Sequence, residues 1–120
     1  MMKSKRFACL LISSLLFFLG SFSIVFANDL QTGVDAYTKQ DFKTAFKVFM
    51  ELAKQGNLDA QNNLGIMYFQ KQGLPEGITE FERLREARWW WNAGAENAEK
   101  SGNTKTNTKL KVNINILNHD

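Results

Sequence analysis

Apolar positions recur every three to four residues through most of this chain, the signature of amphipathic helices packed on one side. The clearest stretch runs from Asp41 to Gln55. Phe42, Ala45, Phe46, Val48, Phe49, Leu52 and Ala53 complete an i, i+3, i+4, i+7 stripe there, with Lys43, Lys47 and Lys54 on the other side. Asp41 stands where a side-chain oxygen caps a first helical turn, and Gly56 stands where a helix end takes a left-handed residue. Upstream, Leu30, Val34, Ala36 and Tyr37 predict a shorter helix. The link at Lys39-Gln40-Asp41 is so short that the two helices must form an antiparallel pair. A third helix is predicted from Asp59 to about Lys71, capped by Asn57, with Ala60, Leu64, Met67 and Tyr68 as its apolar stripe.

Gly73-Leu74-Pro75-Glu76-Gly77 contains both strong breakers and ends that helix. A longer one follows, from about Thr79 to Ala98. Thr79 and Glu82 have the spacing of a capping box, and Phe81, Leu84, Ala87, Trp90, Trp91, Ala93, Ala95 and Ala98 are its apolar positions. After Ser101-Gly102 the chain turns to Asn, Thr and Lys. Leu110, Val112, Ile114 and Ile116 alternate as in a strand, whereas Leu110, Ile114 and Leu117 fit a helix. The low helix propensity of Asn and Thr points to a weak, partly frayed terminal helix.

The first 27 residues have a different character. A short basic start (Lys3, Lys5, Arg6) precedes an uncharged apolar run over residues 7–27, which ends Val25-Phe26-Ala27 before polar Asn28-Asp29. This is the layout of a secretory signal peptide, with cleavage expected after Ala27 and delivery to the periplasm or the outside of the cell. The run is also long enough to span a bilayer, so an uncleaved inner-membrane anchor is the alternative and the one expected membrane contact. Cys9, the sole cysteine, lies too early to be lipidated after cleavage and leaves with the leader.

Removing the leader changes the charge picture. Three of the 15 basic residues go with it, leaving 12 against 12 acidic ones and a net charge of zero. Nucleic-acid binding, which needs a basic patch on the folded domain, is not expected. With no disulfide available, helix packing has to stabilise the remaining module.

The helices also repeat. Ala45-Phe46-x-x-Phe49-x-x-Leu52-Ala53 and Ala87-x-x-Trp90-Trp91-x-Ala93-Gly94-Ala95 each set small residues beside bulky aromatics. The run Gly56-Asn57-Leu58-Asp59-Ala60-Gln61-Asn62-Asn63-Leu64-Gly65-Ile66-Met67-Tyr68 closely resembles the G-(N/D)-x-x-A-Q-x-x-L-G-x-(M/L)-Y signature of the Sel-1-like repeat family, a subclass of tetratricopeptide-type α/α repeats. Gly73-Leu74-Pro75 and the Ala87–Ala93 helix resemble its following elements. The stretch from Gly33 to Ala45 resembles a tetratricopeptide-like unit.

The resemblance implies an all-α, antiparallel helix-pair repeat solenoid of about two repeats plus a degenerate C-terminal helix. Residues 1–27 would be the leader, 28–101 the repeat domain and 102–120 a polar tail or capping helix. Gly56, Ala60, Leu64, Gly65, Tyr68, Ala87 and Trp90 would be its structural motif positions. Two departures stand out. The interval from Gly73 to Ala87 is longer than the family's loop. The third unit has Thr106 where alanine belongs and Lys111 where glycine belongs.

No nucleophile motif, phosphate loop or metal spacing is present, and no cofactor or enzyme activity is expected. His119, the lone histidine, reads as a solvated tail residue. Glu80, Glu82 and Glu86, interleaved with Arg83, Arg85 and Arg88, read as ion pairs on a wet face. Successive helical residues point about 100° apart, so Trp89, Trp90 and Trp91 cannot share one core, and Trp89 is expected to be partly exposed or to cover a neighbouring helix. Family members commonly act as scaffolds or adaptors, which implies a protein or peptide partner. Asn62, Ile66 and Phe69 match the family's groove positions, and with Trp89 they form the candidate partner-binding set. The runner-up functions are a membrane-tethered accessory subunit or regulator of an envelope enzyme, and a decayed remnant of a longer array.

Overall fold

The computed structural model describes residues 29–119, so the expected leader and its cleavage point lie outside the described residues. Within them the chain is entirely helical: α1 over residues 29–38, α2 Phe42–Lys54, α3 Leu58–Gln70, α4 Glu80–Lys100 and α5 Thr104–His119. No strand occurs among the described residues. Each helix packs mainly on its neighbour in the chain, α2 on α3, α3 on α4 and α4 on α5, with a smaller contact between α3 and α5.

Three of the four links are the same turn. Gln40, Gly56 and Gly102 take left-handed conformations, with φ of 63°, 87° and 70°. The residue after each is Asp41, Asn57 or Asn103. Its backbone N–H donates back to the carbonyl of Ala36, Leu52 or Ala98 at 2.9, 3.1 and 2.8 Å. Its side chain then accepts from the N–H three residues on, at Thr44, Ala60 or Thr106. One left-handed residue followed by one capping residue thus closes one helix and opens the next. Hydrogen bonding to Thr44 holds the Asp41 carboxyl below its ordinary range.

The α3–α4 link is different. Lys71 closes α3 in a left-handed conformation, and the chain runs through Pro75 before Thr79 opens α4 with a complete capping box. The Thr79 hydroxyl accepts from the Glu82 N–H at 3.2 Å, and the Glu82 carboxylate accepts from the Thr79 N–H at 3.0 Å. The residues from Glu80 to Glu86 therefore belong to the helix itself. These bonds depress the Glu82 pKa, backbone bond first. A group depressed on folding stabilises above its unfolded pKa, and that contribution is lost as pH falls through its folded pKa. Thr79→Ala is expected to cost about 1 kcal/mol at neutral pH. Its deficit in urea melts should shrink when the pH drops below the ordinary glutamate range.

The core is one cluster threaded through all five helices. It includes Ala36, Phe49, Leu64, Met67, Trp91 and Leu110. Trp91, Phe49, Leu64, Met67 and Leu110 are its largest fully buried side chains, each contributing about 1.5–3 kcal/mol by leaving water. Tyr68 stacks edge-on against Phe46 at 5.3 Å, and burial, with Glu86 nearby, raises its phenol pKa.

Residues 104–119 form the expected terminal helix, which buries Leu110 and Leu117. The structure corrects two expectations. Phe81 is 74 % exposed rather than a core residue. Arg83, expected on a wet face, is only 7 % exposed. Its guanidinium donates to the carbonyls of Tyr68 and Phe69 at the end of α3.

Candidate functional site

Leu64, Met67 and Tyr68 point α3 into the core, so the helical rotation leaves Asn62, Asn63 and Ile66 on its outer flank. Residues from α1 and α5 border that flank. On one side Val34, Tyr37 and Thr38 of α1 join Asn63 and Ile66 around a recess of about 220 Å³ floored by Phe49. On the other, Thr108, Lys109, Val112 and Asn113 of α5 join Asn62 and Ile66 around a second recess of about 360 Å³. Ile66 borders both, so the two recesses lie side by side along a strip that crosses α1, α3 and α5.

Polar contacts hold the strip's edges. Asn113 Nδ2 donates to Asn62 Oδ1 at 2.9 Å, tying α5 to α3. The Asn62 carbonyl accepts from Trp91 Nε1 at 3.2 Å, tying α3 to α4. The Tyr37 hydroxyl donates to Gln72 Oε1 at 2.9 Å, tying α1 to the segment after α3. Ile66, Asn62 and Asn63 are half-buried, whereas Val34 and Val112 are 38 % and 53 % exposed. Val34, Ile66 and Val112 thus supply apolar surface across the strip, among the polar Thr38, Asn62, Asn63, Thr108 and Asn113.

The four expected partner-binding residues do not share one surface. Asn62 and Ile66 lie in the strip. Phe69 packs towards α4, its ring 6.0 Å from Trp91, in a separate recess with Glu80, Arg83, Leu84 and Leu117. Trp89 is 56 % exposed and stacks edge-on against Trp90 at 4.5 Å. It shares the outer face of α4 with Phe81, Arg85 and Arg88. Of the motif positions, Ala60, Leu64 and Ala87 are fully buried, Tyr68 and Trp90 nearly so, and Gly65 lies directly beneath the indole of Trp91.

Two arginines of α4 make ion pairs within the helix. Arg83 faces Glu80 at 3.8 Å, and Arg85 meets the adjacent Glu86 at 3.3 Å. His119 is exposed at the end of α5. Among the described residues no three His, Cys, Asp or Glu side chains converge as a metal site, and no helix is long and apolar enough to cross a membrane.

The strip's outer walls were missed by the sequence reading. Val34 and Tyr37 look like core positions of α1, and Lys109, Val112 and Asn113 fall in what reads as a tail. The available signal was the recurrence of Lys105, Lys109, Val112 and Ile116 on one helical face, visible only once residues 104–119 are taken as a helix. Comparison with protein-family models, curated proteins and solved structures returned no match to this chain.

Proposed function

We propose that this chain is an exported α/α repeat module of the Sel-1-like type, and that it holds a peptide or protein partner in the strip formed by α1, α3 and α5. The observation that carries this reading is the shared position of Ile66 in two adjoining apolar recesses. An isolated surface isoleucine needs no explanation; apolar surface across two adjoining recesses, set among amides, offers an extended or helical ligand both burial and backbone partners. The repeat reading is supported by the three equivalent turns at Gln40, Gly56 and Gly102 and by the signature at residues 56–68. Export rests on the pattern of residues 1–27.

Photo-crosslinking in a bacterial host tests the binding face. A photoreactive side chain at Ile66, Val34 or Val112 of the full chain is expected to give the same discrete adduct. The same group at Lys47 or Trp89, on other faces, should not. Ile66→Asp should abolish the adduct formed from Val112; because Ile66 also packs against the core, a thermal melt of the variant checks that the fold survives, and the milder Ile66→Thr should weaken the same adduct. Adducts that arise from Trp89 and survive Ile66→Asp would place the partner on the outer face of α4 instead. A second reading, a module tethered by an uncleaved N-terminus, is favoured by the length of the apolar run. Sequencing of the processed protein from Asn28 would exclude it.

A further inference from the structure

The two ends of the strip differ in charge. Helix α5 holds Lys105, Lys109 and Lys111 and no acidic residue between Thr104 and His119. All three lysines are exposed, and none has an ion pair among the described residues. Its first turn also carries no acid to offset the positive end of the helix dipole. Residues 29–103 hold 11 acidic residues against nine basic ones, so positive charge in excess is concentrated on this helix.

The lysines fall on two faces. Lys105 and Lys109 are four apart and share a side, and Lys109 borders the recess with Asn62, Ile66 and Val112. Helical rotation carries Lys111 away from that side.

We infer that the partner segment is acidic where it crosses α5: aspartates or glutamates paired with Lys105 and Lys109, followed by apolar side chains that fill the recesses around Ile66. This rests on the strip being the binding face. The chemistry favours a polypeptide over the other polyanions. Only Lys109 borders the strip, with Lys105 on the same helical side, too few for the phosphate contacts that dominate nucleic-acid affinity. The apolar positions between them and α1 need apolar side chains opposite. A flat anionic bilayer would meet the rims of the recesses and leave the half-buried Ile66 uncovered.

The test uses the full-length chain against arrayed random 12-residue peptides, with anionic vesicles of phosphatidylglycerol and a DNA duplex as further probes. Peptides enriched for Asp or Glu beside an apolar run are expected. Lys105→Glu/Lys109→Glu should weaken them about ten-fold at low salt and shift the enriched set towards basic residues, whereas Lys111→Glu should change binding less than two-fold. The difference should diminish as salt shortens the screening length to about 8 Å. If peptides bind and are lost in Ile66→Asp, but show no acidic enrichment and no response to the double reversal, this inference fails and the strip stands. If wild-type peptide binding is unaffected by Ile66→Asp, or no peptide binds, both fail. Vesicle or DNA binding that depends on Lys105 and Lys109, without acidic-peptide binding, overturns the inference in favour of another polyanion.

Discussion

Gly65→Ala is expected to destabilise this chain by about 2 kcal/mol, and to become neutral or stabilising once Trp91 is replaced by leucine. A methyl group at Gly65 would sit 2.2 Å from Trp91 Nε1 and 2.4 Å from its Cδ1, well inside contact distance. The indole is a rigid ring, 2 % exposed, and cannot swing aside as a flexible chain end would. Overpacking of this kind costs about 1–3 kcal/mol. Displacing the ring also strains its hydrogen bond to the Asn62 carbonyl, a contribution of about 1 kcal/mol. Opposing both is the better helix propensity of alanine, worth about 1 kcal/mol. Trp91→Leu alone should cost about 3 kcal/mol through lost burial and the void it leaves.

With the indole gone, the three nearest contacts of that methyl go with it, so the propensity gain dominates and the sign of Gly65→Ala reverses. Urea melts of the four proteins in the cycle measure this coupling directly. An equal penalty in both backgrounds would mean that the close approach of α3 and α4 is not what the glycine serves. The consequence reaches the strip proposed to hold the partner. Asn62 is gripped by Trp91 from one side and by Asn113 from the other, so a displaced ring should weaken ligand binding as well as stability.

Much of the helical layout was legible because helix ends have specific chemical needs. A left-handed residue followed by Asp or Asn is a local instruction, and it sets three of the four links. Thr79 and Glu82 mark the start of α4 in the same way. The faces of the helices were less legible where a tertiary neighbour decides them. Phe81 has the periodicity of a core residue but sits in the first turn of α4, on the side turned away from α3 and α5. Leu110, Ile114 and Leu117 override their Asn- and Thr-rich surroundings only because α4 offers them a surface. For the candidate site, rotation along α3 was enough to bring Asn62 and Ile66 to its outer flank. It could not show that α1 and α5 would wall the strip, since no spacing within one helix reports which other helices flank it. Phe69, close to Ile66 in angle, turned out to serve the packing of Trp91.

Arg83 is the position where charge pattern misled most, and its replacement carries the second large effect. Arg83→Ala is expected to destabilise by about 3 kcal/mol, and Arg83→Met by less than half as much. Its guanidinium donates to the Tyr68 and Phe69 carbonyls, which lie in the last turn of α3 where carbonyls lack intrahelical donors. Lys71 N–H reaches the Tyr68 carbonyl at 3.4 Å, so the Phe69 carbonyl depends on Arg83 the more. Alanine would orphan that carbonyl, at about 1–3 kcal/mol, and would empty the space filled by the arginine stem beside Leu84 and Leu117. Both substitutions remove the charge whose Nε has no hydrogen-bond partner, which offsets part of the orphaned carbonyl in each. Methionine alone also restores most of the volume, which is why it recovers much of the loss.

The paired substitutions therefore separate packing from hydrogen bonding at one position. Amide exchange should localise the remaining deficit of Arg83→Met to residues 70–80, where the end of α3 and the start of α4 lose their shared clasp. If Arg83→Met proves as damaging as Arg83→Ala, the polar clasp rather than the filled volume holds this corner. If neither variant is destabilised, the corner is held by Pro75 and the capping box alone.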